Sequence, residues 1–313
     1  MRRSEGGFPS AAGLGDIFFR SWRTEGAPRA AVQIVHGMAE HGERYEGFAQ
    51  ALCGAGYDVW VMDLCGHGQS TDEENLGYFG HERGWRGMVT DIREMTEQMR
   101  DVYPAELPLF LFGHSMGSFL ARAYCERYSN DLAGAVFCGT SGPNPAAAAG
   151  ILVAKLVAAF KGEKHRSALL DSVAFGNYNS KYPGKPRTKF DWLNTDEAEV
   201  DKYIADPRCG FLFTARAFLD LFSLLQSISG KPWFTSIPYQ FPLLLIAGGD
   251  DPVGGYGKGV ELVARRLREA GSNRTQCQIF PGMRHEILLS PERAQVFDTV
   301  ITWLNKALET VPA

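Results

Sequence analysis

The 313-residue sequence predicts an α/β protein, a mostly parallel sheet with helices on both faces and an inserted helical cap. Two observations carry this. Short apolar runs bounded by Gly, Pro or Asp alternate with segments of helical periodicity. The alternation breaks once, between residues 144 and 241, over a stretch too apolar and aromatic to be a loop.

In chain order the strand-like runs cover 16–22, 30–37, 57–63, 107–115, 132–140, 242–250 and 275–282, the first expected to lie antiparallel at the sheet edge. Helical patterns fill most intervals, at 44–56, 85–103, 118–128 and 259–271, and a last one covers 291–308. The interruption contains three more, at 146–160, 191–207 and 211–228, so a core of 1–144 and 236–313 is expected to carry a cap at 145–235. Residues Phe211, Ala215, Phe218, Phe222 and Leu225 form an apolar stripe at helical spacing; with Phe213 and Leu219 they are candidates to wall an acyl pocket.

Charge excludes some partners. The 32 basic and 36 acidic residues give a net charge of −4, with no block of like charge to follow phosphates, so no nucleic-acid partner is expected. The N-terminal arginines are followed by glycines, a proline and an acid rather than the apolar stretch of a signal peptide, and the segment is expected to be retained. The longest apolar run, 146–160, contains Lys155 and is too short to span a bilayer, although it raises membrane-surface contact through the cap as a further hypothesis. The scattered cysteines, Cys53, Cys65, Cys125, Cys138, Cys209 and Cys277, form no C-x-x-C pair and read as reduced thiols of a cytoplasmic protein. No metal or organic cofactor is expected, since the glycines at 254–259 lack the strand-to-helix context of a phosphate loop.

The chemistry centres on Gly113-His114-Ser115-Met116-Gly117. A serine between a strand and a helix, with glycine two positions to either side, fits a tight turn that lifts the hydroxyl above the sheet. A hydroxyl is a weak nucleophile, so it needs a base, and the base needs a third group to orient it. His285 lies between the last strand-like run and the last helix, on the sheet edge where Ser115 emerges. The remaining histidines, His36, His41, His67, His81, His114 and His165, are assigned structural roles. Asp250 and Asp251 follow the strand at 242–250, while the strand at 132–140 ends without an acid. Backbone N–H groups of Met116 and Met38 are the candidate oxyanion donors, Gly37 permitting the close approach.

The segments VHGMAEHGERY, MDLCGHGQS, GHSMGS, AGGDDPVG and GMRHEILL, taken together, resemble the motif series of the α/β-hydrolase superfamily, in its lysophospholipase and monoacylglycerol lipase branch. The resemblance covers the sheet domain on both sides of the cap. It implies a serine esterase or lipase with Ser115 as nucleophile, His285 as base and an aspartate as the third member; its spacing from Gly248 favours Asp251 over Asp250. Glu40, His41, Arg44 and Tyr45 are expected to orient the loop that carries Met38, and Asp63, Gly66, Gly68 and Ser70 to shape a tight turn nearby.

The resulting expectation is a hydrolase of small-molecule acyl esters, monoacylglycerols or lysophospholipids, acting through an acyl-enzyme. One alternative is an amide or peptide hydrolase that holds a free amino group with cap acids such as Asp196, Glu197, Glu199 and Asp201. The other is a non-catalytic binding protein on the same fold.

Overall fold

A computed structural model describes residues 1–182 and 184–310. Its eight-stranded sheet consists of β1 (Arg2–Pro9), β2 (Asp16–Arg23), β3 (Ala30–Val35), β4 (Tyr57–Met62), β5 (Leu109–His114), β6 (Gly134–Cys138), β7 (Leu243–Gly248) and β8 (Thr275–Phe280), in the order β1-β2-β4-β3-β5-β6-β7-β8. The pairs β1–β2 and β2–β4 are antiparallel and all others parallel. Strands β3 to β7 are buried along their whole length, which is why they read as unbroken apolar runs rather than alternating ones.

The antiparallel strand expected at the edge is β2, and it lies inside the sheet because β1 covers it. β1 (RRSEGGFP) is almost entirely exposed. With no apolar periodicity it could not be recognised, and main-chain pairing to β2 along its full length holds it.

Helices cover both faces. α1 (Glu46–Gly54) and α10 (Arg293–Leu308) pack on one side, and α2 (Trp85–Val102), α3 (Met116–Tyr128) and α9 (Lys258–Glu269) on the other. Between β6 and β7 run α4 (Ala147–Lys161), α5 (Ala168–Phe175), α6 (Glu197–Ala205), α7 (Ala215–Ser227) and α8 (Lys231–Ser236). α5 and α8 were not anticipated; both are short, and α8 carries Pro232 in its first turn. α7 starts later than the apolar run suggested. Thr214 caps it by accepting a hydrogen bond from Ala217 N, which leaves Phe211 and Phe213 in an extended segment ahead of the helix.

The chain reverses direction across the sheet at β3, which lies between β4 and β5. Such a switch opens a crevice at the carboxyl ends of neighbouring strands. The loop after β3 carries Met38, and Ser115 directly follows β5.

Candidate active site

Ser115 sits between β5 and α3 with φ 54° and ψ −123°, a backbone conformation side chains rarely adopt. The flanking glycines are required by space. A Cβ at Gly117 would lie 2.1 Å from Val35 O, and one at Gly113 2.4 Å from Gly117 O. The strained turn is held by Ser115 N donating to Cys138 O (2.9 Å) and Ser118 Oγ donating to Ser115 O (2.6 Å).

His285 Nδ1 lies 2.9 Å from Asp251 Oδ2, both side chains almost fully buried. Nδ1–H donates a hydrogen bond to the carboxylate, which leaves Nε2 as the basic nitrogen. Asp251 Oδ1 accepts from Val253 N at 2.9 Å, so the carboxylate is fixed at both oxygens. Asp250 is exposed, its backbone tied to Met283 O and to the Tyr182 hydroxyl. Gly248 makes this arrangement fit, since a Cβ there would meet Arg284 O at 2.1 Å and Met283 O at 2.2 Å.

Met38 and Met116 lie beside Ser115 on one cavity wall. Met116 is the first residue of α3, where an N–H has no partner within the helix, and among the described residues neither its amide nor that of Met38 has a protein acceptor. Next to Met38, Ala39 takes φ 51°. Gly37 N donates to Glu40 Oε1 at 2.6 Å, and the same oxygen accepts from the Tyr45 hydroxyl at 2.8 Å.

Arg44 joins the loops. Its guanidinium donates to Glu40 Oε2 (2.8 Å) and, through two nitrogens, to Glu286 (2.6 and 3.0 Å), the residue after His285. His114 completes the link, with Nδ1 3.3 Å from Glu40 Oε1 and Nε2 3.3 Å from the His285 carbonyl. Burial opposes charge on both partners, but the His114 hydrogen bond and the Arg44 charge outweigh it and hold Glu40 well below its ordinary 4.5. Glu40 in turn outweighs the burial of His114 and raises it above 6.5. Glu40, Arg44 and Tyr45 thus meet the sequence expectation, while His41, named with them, faces Asp206 at 2.8 Å instead; Glu286 escaped it, because an acid beside a histidine carries no signal until the fold brings Arg44 to it. The second expected turn also forms: Asp63 accepts from Arg20, Gly42 N and Gln69 N, and Ser70 Oγ donates to its carbonyl.

The segment between β6 and β7 reaches this machinery through backbone bonds. Glu286 N donates to Leu193 O (2.7 Å), Arg284 to the carbonyls of Asp191 and Asn194 (2.6 and 2.9 Å), and Ala39 O accepts from Gly210 N and the Tyr203 hydroxyl (both 2.9 Å). The Trp192 ring lies 5.1 Å from that of His285.

A cavity of about 280 Å³ opens over Ser115 and His285. Of the apolar residues proposed to wall it, Phe211, Phe222 and Leu225 do so. Ala215, Phe213, Phe218 and Leu219 do not; Phe213 and Phe218 are fully buried, with Phe213 packed against His67 and Phe79. The acids considered for holding an amine are also elsewhere. Asp196 caps α6, Glu197 and Asp201 pair with Arg187, and Glu199 pairs with Lys202. The acid between β6 and β7 that does line the cavity is Asp171, whose carboxyl is raised by burial against the opposing charge of Lys189.

A model of the family described as serine aminopeptidase, S33 matches residues 26–292. The chain is 30% identical over 308 residues to the monoacylglycerol lipase of Mycolicibacterium smegmatis, covering 96% of this chain and 97% of that protein. It is 30% identical over 183 residues to the human monoglyceride lipase, covering 58% of this chain and 55% of that protein. A carboxyl esterase from Bacillus coagulans, solved in complex with glycerol, superposes with a TM-score of 0.92 at 31% identity, over 98% of this chain and 99% of the other.

Proposed function

The chain belongs to the serine aminopeptidase S33 family, has the α/β-hydrolase fold and is a carboxylic-ester hydrolase; from that premise we propose that it cleaves monoacylglycerols through an acyl-enzyme on Ser115. The observation that carries the proposal is the buried Asp251–His285 pair, whose imidazole opens onto the same cavity as the strained Ser115 turn.

Ser115 Oγ attacks the ester carbonyl as His285 Nε2 takes its proton. The tetrahedral oxyanion is held by the N–H groups of Met38 and Met116. His285 then protonates the departing glycerol oxygen, the ester bond breaks, and the acyl group remains on Ser115. Water, deprotonated by the same nitrogen, releases the fatty acid. Asp251 stays ionised throughout and stabilises the imidazolium.

The substrate class is supported by the apolar wall of Phe119, Leu221, Phe222 and Leu225 and by the names of the relatives. Residues 145–235 act in this reading as a cap over the acyl chain. No described helix is long and apolar enough to cross a membrane. Exposed Leu152, Leu156 and Phe160 on α4 support contact of the cap with a lipid surface, and six unpaired cysteines support a reducing, cytoplasmic setting. Amide hydrolysis finds one supporting feature, Asp171 in the cavity wall, and Lys189 offsets it.

Turnover of purified protein on monoacylglycerols, lysophospholipids, acetate esters and aminoacyl anilides tests the proposal. It expects monoacylglycerols of medium or long chain to lead in kcat/KM; fastest turnover of the anilides would move the assignment to an aminopeptidase.

A further inference from the structure

We propose that Arg122 is a positioning residue for the acyl-chain wall, its buried guanidinium fastening both ends of the segment between β6 and β7 to α3, the helix that follows Ser115. The fastening is read from geometry alone; its effect on acyl selectivity rests on the placement of the acyl chain proposed above.

The two anchor points lie where the inserted chain leaves the sheet and where it returns. Arg122 Nη1 donates to Ser141 O (2.8 Å) and to Thr140 Oγ1 (3.3 Å), just past β6, while Nη2 donates to Ile228 O (2.7 Å), at the end of α7. Among the described residues no other donor reaches either carbonyl. The guanidinium also lies 4.2 Å from the centre of the Trp233 ring, and Trp233 Nε1 donates back to Arg122 O (2.8 Å), which draws α8 into the same knot.

Arg122 is an expensive residue for a core. It is 1% exposed, and where the buried Arg20 has Asp63 at 2.9 Å, no carboxylate among the described residues pairs with Arg122. Burial, with no opposing charge, pulls its guanidinium down to about 9. An apolar side chain would fill the space without stripping a cation of water. What only the planar fork supplies is a pair of nitrogens aimed at two carbonyls from different parts of the chain.

The catalytic geometry does not need this fork. The sheet itself carries the chain as far as Gly139, with Ser115 N donating to Cys138 O (2.9 Å) and Gly139 N to Ile246 O (2.8 Å). Beyond that point Arg122 takes over. Ser141 lines the cavity, as do Leu221, Phe222 and Leu225 in the part of α7 that runs up to Ile228. Arg122 lies about two helical turns past Ser115, so it sets where this wall stands relative to the nucleophile.

The test compares full-length wild type, Arg122→Met and Arg122→Lys by hydrogen exchange with mass spectrometry, and by turnover of p-nitrophenyl laurate against p-nitrophenyl acetate. In Arg122→Met, amide exchange should quicken in residues 140–142 and 225–230 together while β3 and β5 keep wild-type protection. The kcat/KM for laurate should fall by about 10-fold, the size of a hydrophobic pocket contact, with acetate spared. Arg122→Lys keeps the charge but loses the fork, so it should follow Arg122→Met, and it replaces that variant if circular dichroism finds it unfolded. Wild-type exchange in both segments, exchange raised uniformly along the chain, equal losses on the two esters, or full activity in Arg122→Lys each overturns the proposal. Exchange is read without turnover, so a wild type indifferent to acyl length would end the acyl-wall reading and leave the fastening to be decided by exchange.

Discussion

The loops at the carboxyl ends of the sheet are rich in glycine and charged residues whereas α4 is an apolar helix, and the fold treats them oppositely. In the loops, Asp251 and His285 are buried, each with a hydrogen-bond partner in a neighbouring segment, and Ser115 and Ala39 are held at positive φ. On α4, Leu152, Leu156 and Phe160 face outward, Phe160 at 86% exposure. A reaction needs atoms held in place, so its residues are surrounded by glycines and ion pairs that admit few substitutes. In the reading proposed above α4 meets a lipid surface, which needs only apolar area, and many sequences provide that.

The comparison is sharpened most by the adjacent aspartates. Asp251→Asn is expected to lower kcat by about 10⁴, because the amide would stabilise the wrong imidazole tautomer, and to leave folding intact. Asp250→Asn, at an exposed position, should stay near wild type. Steady-state kinetics checks both.

Arg44→Met should rank next. It leaves Glu40 and Glu286 without their shared cation and loosens the two loops that must face one another, so kcat should fall by about 10²-fold with little change in KM. Loss of one partner from a buried ion pair also costs about 3–5 kcal/mol of stability, readable by urea unfolding. An effect confined to stability would mean that Arg44 holds the fold and not the site.

A substitution in α7 should act more weakly and selectively. Phe222→Ala, in the cavity wall, is expected to lower kcat/KM for long-chain esters by about 10-fold and to spare acetate esters, a loss in the range of hydrophobic pocket contacts. Phe218 is the wrong residue for this test, because it is fully buried outside the cavity and a charge there would act on folding. Equal losses on both substrate lengths would make Phe222 structural.

The smallest effect is a pH dependence of stability. The raised His114 contributes stability fully below 6.5 and loses it as pH rises through its higher folded value; the depressed Glu40 contributes above 4.5 and loses it as pH falls toward its lower one. The stability gap between wild type and Glu40→Gln should therefore be widest between 4.5 and 6.5 and narrow on both sides. A gap independent of pH would exclude the charged pair.

How much of this was legible in the sequence follows from the same contrast. Gly113, Gly117 and Gly248 stand where a Cβ would strike backbone, so local sequence carried the turn at Ser115 and the exit from β7. Seven of the eight strands could be found from apolar runs; β1 could not, since main-chain bonds rather than buried side chains hold it. Glu286 and the backbone clasps of Leu193 and Gly210 were invisible because each depends on a partner far away in the chain. In α7, periodicity gave a helix, but only the Thr214 cap decided that Phe211 and Phe213 precede it.

The assignment of Ser115 as nucleophile is tested most directly by labelling with a fluorophosphonate and mapping the adduct by mass spectrometry. The account predicts a single adduct on the peptide containing Ser115 in the wild type and none in Ser115→Ala, with both proteins giving the same circular dichroism. An adduct on another serine, or labelling that persists in Ser115→Ala, would contradict it.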